Sequence, residues 1–309
     1  MRFWKRPKNV SNLLKKILSE EILDESLLLD YVKIEDYLMV ALEVRPCSFL
    51  TIPAEFPNGD ELGKRIDELC AEDLQAVLGA TPDKKGVLIQ RLKKRIWESF
   101  KKVVFASATY KAHMEWAKKL SLQTFDVEVR PSIRELYLFK DSKVKGELRR
   151  LANIRNAARE RIKISMDASK SKTWLAFPEE LAPEYLASVG ELLGYPSCCV
   201  EKYVHDRLSE GASVEVRASR EIEQLKKEGG EPDLYVYFAR NFFPCEPRCR
   251  IAGEIGRKAF ALLSDVSPKL GDLYLECIRD NVGIVQKYPE ITKQYRKSLT
   301  KKAQKLTKA

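Results

Sequence analysis

The sequence predicts a helix-rich α+β fold, with a small α/β layer in the middle and a mainly helical C-terminal domain. Three observations lead to this fold class. Apolar residues recur at helical spacing along most of the 309 residues, two alternating segments flank Pro131-Ser132, and the last third is a series of helical segments separated by glycine and proline. At roughly 100–200 residues per domain, this length is enough for two domains that each bury a core.

Residues 1–80 are acidic, with 10 basic and 15 acidic side chains, and we expect helices with one strand. Leucine and isoleucine recur at helical spacing over Ser11–Leu29. The segment Tyr37–Val44 is apolar enough for a strand. Helical periodicity returns over Leu62–Leu78 and stops at Gly79, a residue that commonly ends helices.

Residues 81–172 are strongly basic, with 24 basic and 10 acidic side chains, and we expect the α/β layer here. A helix that begins near Thr81-Pro82-Asp83 would place Val87 and Phe100 on one apolar face with Leu88, Leu92 and Ile96. Val103–Ser107 is β-branched and aromatic, which favours a buried strand. The other predicted elements are helix Lys84–Lys102, helix Lys111–Leu120, strands Phe125–Arg130 and Ile133–Phe139, and helix Lys143–Lys163.

Residues 173–309 are nearly neutral, with 21 basic and 20 acidic side chains, and are predicted to form the helical domain. Within it, Leu234–Phe243 is apolar and aromatic, so we expect a strand or an extended segment. The predicted helices are Pro183–Leu193, Ser197 to about Leu208, Val214–Lys227, Pro247 to Leu263, Asp272–Tyr288 and Pro289–Lys308.

The net charge of +10 is concentrated in residues 81–172, whose balance is +14. Such asymmetry indicates either a solvated outer face or a surface for a polyanion such as RNA. No RRM aromatic core, KH loop or zinc knuckle accompanies the charge. The candidate nucleic-acid-binding residues are Lys93, Lys94, Arg95, Arg149, Arg150, Arg155 and Arg159.

Four of the seven cysteines lie in two short clusters of the last third. Cys198 and Cys199 follow Gly194-Tyr195-Pro196-Ser197, and Cys245 and Cys249 belong to Phe-Phe-Pro-Cys-Glu-Pro-Arg-Cys. Proline with serine or glutamate at both clusters predicts helix N-termini, whose N–H groups and dipole stabilise thiolates. Thiolate is the form that binds metals, so these four residues are the candidate metal ligands.

Three interpretations of the four cysteines stay open at this point. The first is a metal centre, either a [4Fe–4S] cluster or zinc. Adjacent Cys198 and Cys199 would point about 100° apart on a helix, which favours a cluster over a single tetrahedral ion. The second is one or two disulfides, which the low count of 14 Asn and Gln allows because that composition is typical of hyperthermophiles. The third is reduced thiols that serve packing or redox exchange.

A few further residues are candidates because they lie close to the clusters in sequence. His205 comes two helical turns after Cys198 and could be an alternative ligand or orient one, unless it is an ordinary surface or core histidine. Arg240 and Arg248 could lower a thiolate pKa or hold an anion, unless they belong to an exposed helix start. The isolated cysteines Cys47, Cys70 and Cys277 are expected to be buried small hydrophobes. The sequence lacks GxSxG, Walker A, GxGxxG and HExxH motifs.

The strings Gly194-Tyr195-Pro196-Ser197-Cys198-Cys199 and Phe243-Pro244-Cys245-Glu246-Pro247-Arg248-Cys249 resemble an archaeal family of unknown function marked by GYPxCC and FPCxPxC. The resemblance implies an archaeal source and an important four-cysteine site. The ligand pattern is also similar to that of epoxyqueuosine reductases and heterodisulfide reductase subunits. The last spacing here is CxxxC instead of their CxxC.

Together these patterns predict a cytoplasmic metal-binding protein, with a redox or RNA-modification role. No apolar run approaches the ~20 residues that span a bilayer, and the basic N-terminus is not followed by a signal-peptide core. The alternatives are a nucleic-acid-binding module with structural cysteines and a disulfide-stapled thermophilic scaffold. Salt dependence of RNA binding would identify the first of these alternatives, and thiol counting would identify the second.

Overall fold

The computed structural model describes residues 21–165, 179, 182–209 and 213–308 of the chain. It confirms the predicted fold class, a helix-rich α+β protein with a small sheet. The chain divides into two compact units, of which unit 1 ends at Leu148 and unit 2 begins at Arg149. The three regions defined above by charge stay a prediction. Within the described residues, no helix is both long enough and apolar enough to span a membrane.

Unit 1 contains a three-stranded antiparallel sheet. Its strands are β1 (Cys47–Ile52), β2 (Gln123–Arg130) and β3 (Ile133–Phe139), in the order β1-β3-β2. Strands β2 and β3 form the hairpin predicted around Pro131-Ser132, whereas β1 was not predicted. Phe139 in β3 aligns with Cys47 on one side and with Gln123 on the other. The central strand β3 pairs on both edges, and its second half, Leu136–Phe139, is buried.

The helices of both units are numbered in chain order. In unit 1 they are α1 (Val32–Leu38, a π-helix), α2 (Met39–Ala41), α3 (Gly59–Leu78), α4 (Pro82–Phe100) and α5 (Ala108–Lys119), with a second π-helix at Lys101–Phe105. They continue as α6 (Lys143–Ser165), α7 (Pro183–Leu192), α8 (Ser197–Leu208), α9 (Val214–Lys227), α10 (Arg250–Val266) and α11 (Pro268–Lys308), with a 3₁₀ turn at Leu234–Tyr237.

Two segments predicted as strands are helical. Tyr37–Val44 overlaps α1 and α2, and Val103–Ser107 overlaps the second π-helix. Every residue from Val32 to Leu42 is buried. A segment buried on all sides has no polar face, so its periodicity cannot distinguish a strand from a helix.

Other expectations for unit 1 fail in part. The predicted helix Ser11–Leu29 lies partly outside the described residues, and its described part, 21–29, consists of turns and coil. Helix α4 has the predicted extent, but only the Phe100 end of its apolar face is buried. Val87 is 74% exposed. Helices α3 and α4 pack against each other, and this pairing leaves the start of α4 in solvent.

Unit 2 follows the predicted helices closely. Glycines in left-handed backbone, Gly194 and Gly229, follow α7 and α9, because this conformation favours glycine. The segment predicted as extended, Leu234–Phe243, contains a 3₁₀ turn and no strand. The last two predicted helices are one continuous helix, α11, which passes through Pro289. The 3₁₀ turn and helices α9, α10 and α11 form the core of unit 2.

A buried histidine in unit 1 makes stability depend on pH. His113 is inaccessible to solvent, its Nδ1 lies 2.9 Å from the Tyr37 hydroxyl, and its ring stacks on Phe56 at 4.7 Å. Burial disfavours the charged imidazolium and lowers the pKa of His113 to about 4, although the Glu25 carboxylate opposes this effect.

Acidification from pH 6.5 to 4 is therefore expected to destabilise the protein through His113. The unfolded chain binds a proton near pH 6.5 and the folded chain near 4, so the free energy of unfolding falls by about 3 kcal/mol across this range. Urea unfolding followed by tryptophan fluorescence measures this dependence. The decline should be smaller by this amount in His113→Gln, and parallel pH profiles for the two proteins would contradict the assignment.

Candidate metal centre

The four clustered cysteines of unit 2 converge on one small volume. Cys198 and Cys199 lie in the first turn of α8, Cys249 immediately precedes α10, and Cys245 lies in the loop before it. All four Sγ atoms lie within 4.8 Å of one another. This arrangement could hold a metal ion.

The separations among three of the sulfur atoms match the edges of a tetrahedron around one ion. Cys249 Sγ lies 3.7 Å from Cys198 Sγ and 3.7 Å from Cys199 Sγ, and the latter two atoms are 3.9 Å apart. Two thiolates bound tetrahedrally at 2.3 Å from zinc would be about 3.8 Å apart. A disulfide would need about 2.05 Å. None of the seven cysteines, all within the described residues, forms a disulfide.

The local sequence explains how α8 presents two of these sulfurs. Gly194 adopts φ 76° after α7, which turns the chain toward Tyr195. Pro196 precedes the first turn of α8, and its carbonyl accepts a hydrogen bond from the Cys199 N–H at 2.9 Å. The helix start expected at Pro196-Ser197 is therefore confirmed.

The side chains of the adjacent cysteines Cys198 and Cys199 were expected to point apart, but their sulfurs lie 3.9 Å from each other. Both Cys198 and Cys199 reach Cys249 at the same distance, which keeps their own sulfurs on one tetrahedral edge. The helix predicted from Pro247 begins only at Arg250, so Cys249 precedes it. A loop brings Cys245 to the site.

Burial and mutual contact set the protonation of the four thiols. Burial raises the pKa of Cys199 strongly and that of Cys245 to about 12. Burial acts in the same direction on Cys249, but the Ala252 N–H and the other three thiols donate to its sulfur, so the pKa of Cys249 is lowered. The Cys249 thiolate at the start of α10 thus forms most readily, and its negative charge opposes ionisation of the other three thiols. A bound cation would favour ionisation of all four.

Arg217 on α9 holds the cysteine loop, and sequence reasoning missed it. Its guanidinium donates to the carbonyl oxygens of Pro244 at 3.0 Å and Cys245 at 3.4 Å. It also pairs with Asp206 at 2.6 Å and Glu221 at 2.6 Å. Asp206 belongs to α8, so one side chain, only 13% exposed, links α8 and α9 to the loop.

Part of this network has a sequence signal. Arg217 and Glu221 are four residues apart on α9, and so are Lys202 and Asp206 on α8, where Nζ lies 2.9 Å from the carboxylate. Such pairs are common on exposed helices, so they do not indicate a buried contact. The bonds from Arg217 to backbone carbonyls have no signal in the sequence, because any residue supplies a carbonyl.

Two of the three residues predicted to tune the site, His205 and Arg248, contact other groups. The side chain of His205 is 74% exposed and lies 3.4 Å from Asp206 Oδ1. Arg248 is exposed and donates through Nε to the Glu231 carbonyl at 3.0 Å. Arg240 is half-buried. The isolated cysteines Cys47, Cys70 and Cys277 are buried, as predicted.

Five of the candidate nucleic-acid-binding residues are accessible to solvent, and two of these five donate a hydrogen bond within the protein. Lys93, Lys94 and Arg149 are exposed. Arg95 donates to the Leu69 carbonyl, and Arg150 donates to the Ser188 hydroxyl. These two contacts occupy the side chains without burying them.

Two of the basic candidates, Arg155 and Arg159, are not exposed as a phosphate-binding surface would require. Arg155 is only 4% exposed, donates to the Tyr185 hydroxyl and lies 3.5 Å from Glu179. Arg159 binds both carboxylate oxygens of Glu179, at 3.1 and 2.7 Å. A buried carboxylate requires compensating cations, and these two arginines supply them.

Loss of the Arg217 side chain is expected to destabilise unit 2. Arg217→Ala would leave two loop carbonyls without their donor and would remove one of the cations that pair with Asp206, which should lower the free energy of unfolding by about 3 kcal/mol. Urea unfolding measures the change. The matched control is Arg220→Ala, an exposed residue one turn along α9, which should cost less than about 0.5 kcal/mol. Equal effects of the two substitutions would contradict the role of Arg217.

Comparison with known proteins places the cysteines inside a family match. The family described as "Protein of unknown function (DUF483)" matches residues 124–267. This range contains the β2–β3 hairpin and all four cysteines of the cluster. No curated protein and no solved structure matches the chain. The chain is thus similar to this family across the candidate metal centre.

Proposed function

We propose that the chain is a zinc-binding protein in which Cys198, Cys199, Cys245 and Cys249 hold one tetrahedral ion. The observation that carries the proposal is the sulfur separation of 3.7–3.9 Å among three of the four residues. These values match the edge of about 3.8 Å for four thiolates on one zinc ion. Four soft thiolate ligands in a tetrahedron favour zinc or iron over the hard cations.

The same separations favour a single ion over the [4Fe–4S] cluster. In such a cluster each thiolate binds a different iron, so its sulfurs lie farther apart than two thiolates on one ion. Two thiolates bound at 2.3 Å to one ion are at most about 4.6 Å apart, and the separations of 3.7–3.9 Å among three of the sulfurs satisfy this limit. The remaining separations, which reach up to 4.8 Å, would have to shorten when one ion binds.

The proposed role of the ion is structural. Four protein ligands leave no open position for water or substrate, which distinguishes structural from catalytic zinc sites. The ion would join the start of α8 to the loop before α10, two segments that are about 50 residues apart in sequence. We place the protein in a reducing compartment such as the cytoplasm, because thiolate ligands and unpaired cysteines stay reduced there.

Metal analysis of protein purified without oxygen tests the proposal. We expect about one zinc per chain, no acid-labile sulfide and no absorbance near 400 nm. If iron and acid-labile sulfide are found in equal amounts, the site holds an iron–sulfur cluster and the single-ion assignment is wrong. Iron without sulfide would give a redox-active ion on the same four ligands. A metal-free protein would overturn the metal centre altogether.

Substitution of single ligands tests which cysteines bind. Cys199→Ser or Cys249→Ser should lower zinc affinity at least 100-fold, measured by competition with a chromophoric chelator, because a buried ligand is lost. The control is Cys277→Ala, which removes a buried cysteine outside the cluster and should leave affinity unchanged. Equal zinc affinity in all three variants would contradict the ligand assignment.

A further inference from the structure

The four cysteines divide by solvent access into two pairs. Cys199 and Cys249 are 1% and 3% exposed, and we call them the inner pair. Cys198 and Cys245 are half-buried, and we call them the outer pair. The outer pair is therefore the part of the cluster that a dissolved reagent can approach.

Backbone hydrogen bonds follow the same division. The Cys245 N–H donates to Cys199 Sγ at 3.4 Å, and the Ala252 N–H donates to Cys249. In the described parts of the chain, neither sulfur of the outer pair accepts a backbone N–H. An N–H donor withdraws electron density from a thiolate, so the inner pair is the less nucleophilic one.

The charge of the loaded site would favour reaction at the outer pair. Four thiolates on one divalent ion carry a net charge of −2, which remains on the sulfurs unless donors or cations neutralise it. Two cations on the neighbouring helices are engaged elsewhere. Lys202 is bound by Asp206, and Arg217 is bound by Asp206 and Glu221.

We propose that the outer pair is a nucleophilic site that accepts an alkyl group from a soft carbon electrophile while the inner pair retains the metal. The inference rests on the proposed four-thiolate centre. In the step, a thiolate sulfur of Cys198 or Cys245 attacks the carbon that carries the leaving group. A C–S bond forms as the bond to the leaving group breaks, and the leaving group departs as an anion with the bonding electron pair. No proton or oxidant is required.

Alkylation of the metal-loaded full chain with iodoacetamide tests this inference. Peptide mass spectrometry after short reaction times should show the outer pair modified at least tenfold faster than the inner pair. A chromophoric chelator in a parallel sample should detect no zinc release at the first equivalent. Cys47, Cys70 and Cys277 are buried cysteines outside the cluster and serve as unreactive internal controls.

The pH dependence distinguishes a metal-bound thiolate from an exposed free thiol. A free thiol with a pKa near 8.5 reacts about tenfold faster for each unit between pH 6 and 8, because its thiolate fraction grows. A bound sulfur is already deprotonated, so the outer-pair rate should change less than twofold across this range. Stripping the zinc with a chelator should restore the tenfold rise per unit.

The outcomes separate the two proposals. If zinc is present but all four cysteines react equally, or react only as zinc is released, the nucleophilic site is wrong and the structural zinc centre stands. If the purified protein lacks metal and its rates rise tenfold per pH unit, both are wrong. Fast, pH-independent alkylation of the inner pair instead would also overturn the division proposed here.

Discussion

The convergence of four sulfur atoms within 4.8 Å is the constraint on which unit 2 depends. Two sulfurs come from the start of α8 and two from a loop that is held at one end by Arg217 and at the other by α10. Arg217 binds carbonyls and not side chains in this loop, so it fixes the backbone that carries Cys245.

Two opposing electrostatic effects meet at this cluster. Helix N-termini at α8 and α10 favour negative charge, and a thiolate at Cys249 has its pKa lowered by the Ala252 N–H and its thiol neighbours. Burial acts against this and raises the pKa of Cys199 and Cys245. Without a cation, the protein therefore stabilises one thiolate among the four clustered cysteines. A divalent cation removes the conflict, because its charge offsets both burial and mutual repulsion.

The sequence predicts the helices of unit 2 well because glycine and proline mark their ends. Val214–Lys227 has the predicted bounds, and the start of α8 after Pro196 does too. The same reasoning fails at Tyr37–Val44, where the apolar run Tyr37–Leu42 is buried throughout and offers no polar positions from which a period could be read. It identifies the four cysteines from residue type and spacing, but it cannot find Arg217. The acceptors of Arg217 are backbone carbonyls, which every residue has, and only the tertiary fold brings them near α9.

The net charge of residues 81–172, counted from composition, overstates the positive charge that is accessible to a polyanion. Of the arginines on α6, Arg155 and Arg159 pair with the buried carboxylate of Glu179. Their positive charges therefore serve an ion pair within the protein. Lys93, Lys94 and Arg149 are exposed and retain theirs. An interaction with a polyanion would have to use these exposed residues, because withdrawing Arg155 or Arg159 would leave a buried carboxylate unpaired. The balance of +14 therefore counts charges, such as that of Arg155, that are buried and unavailable to a partner.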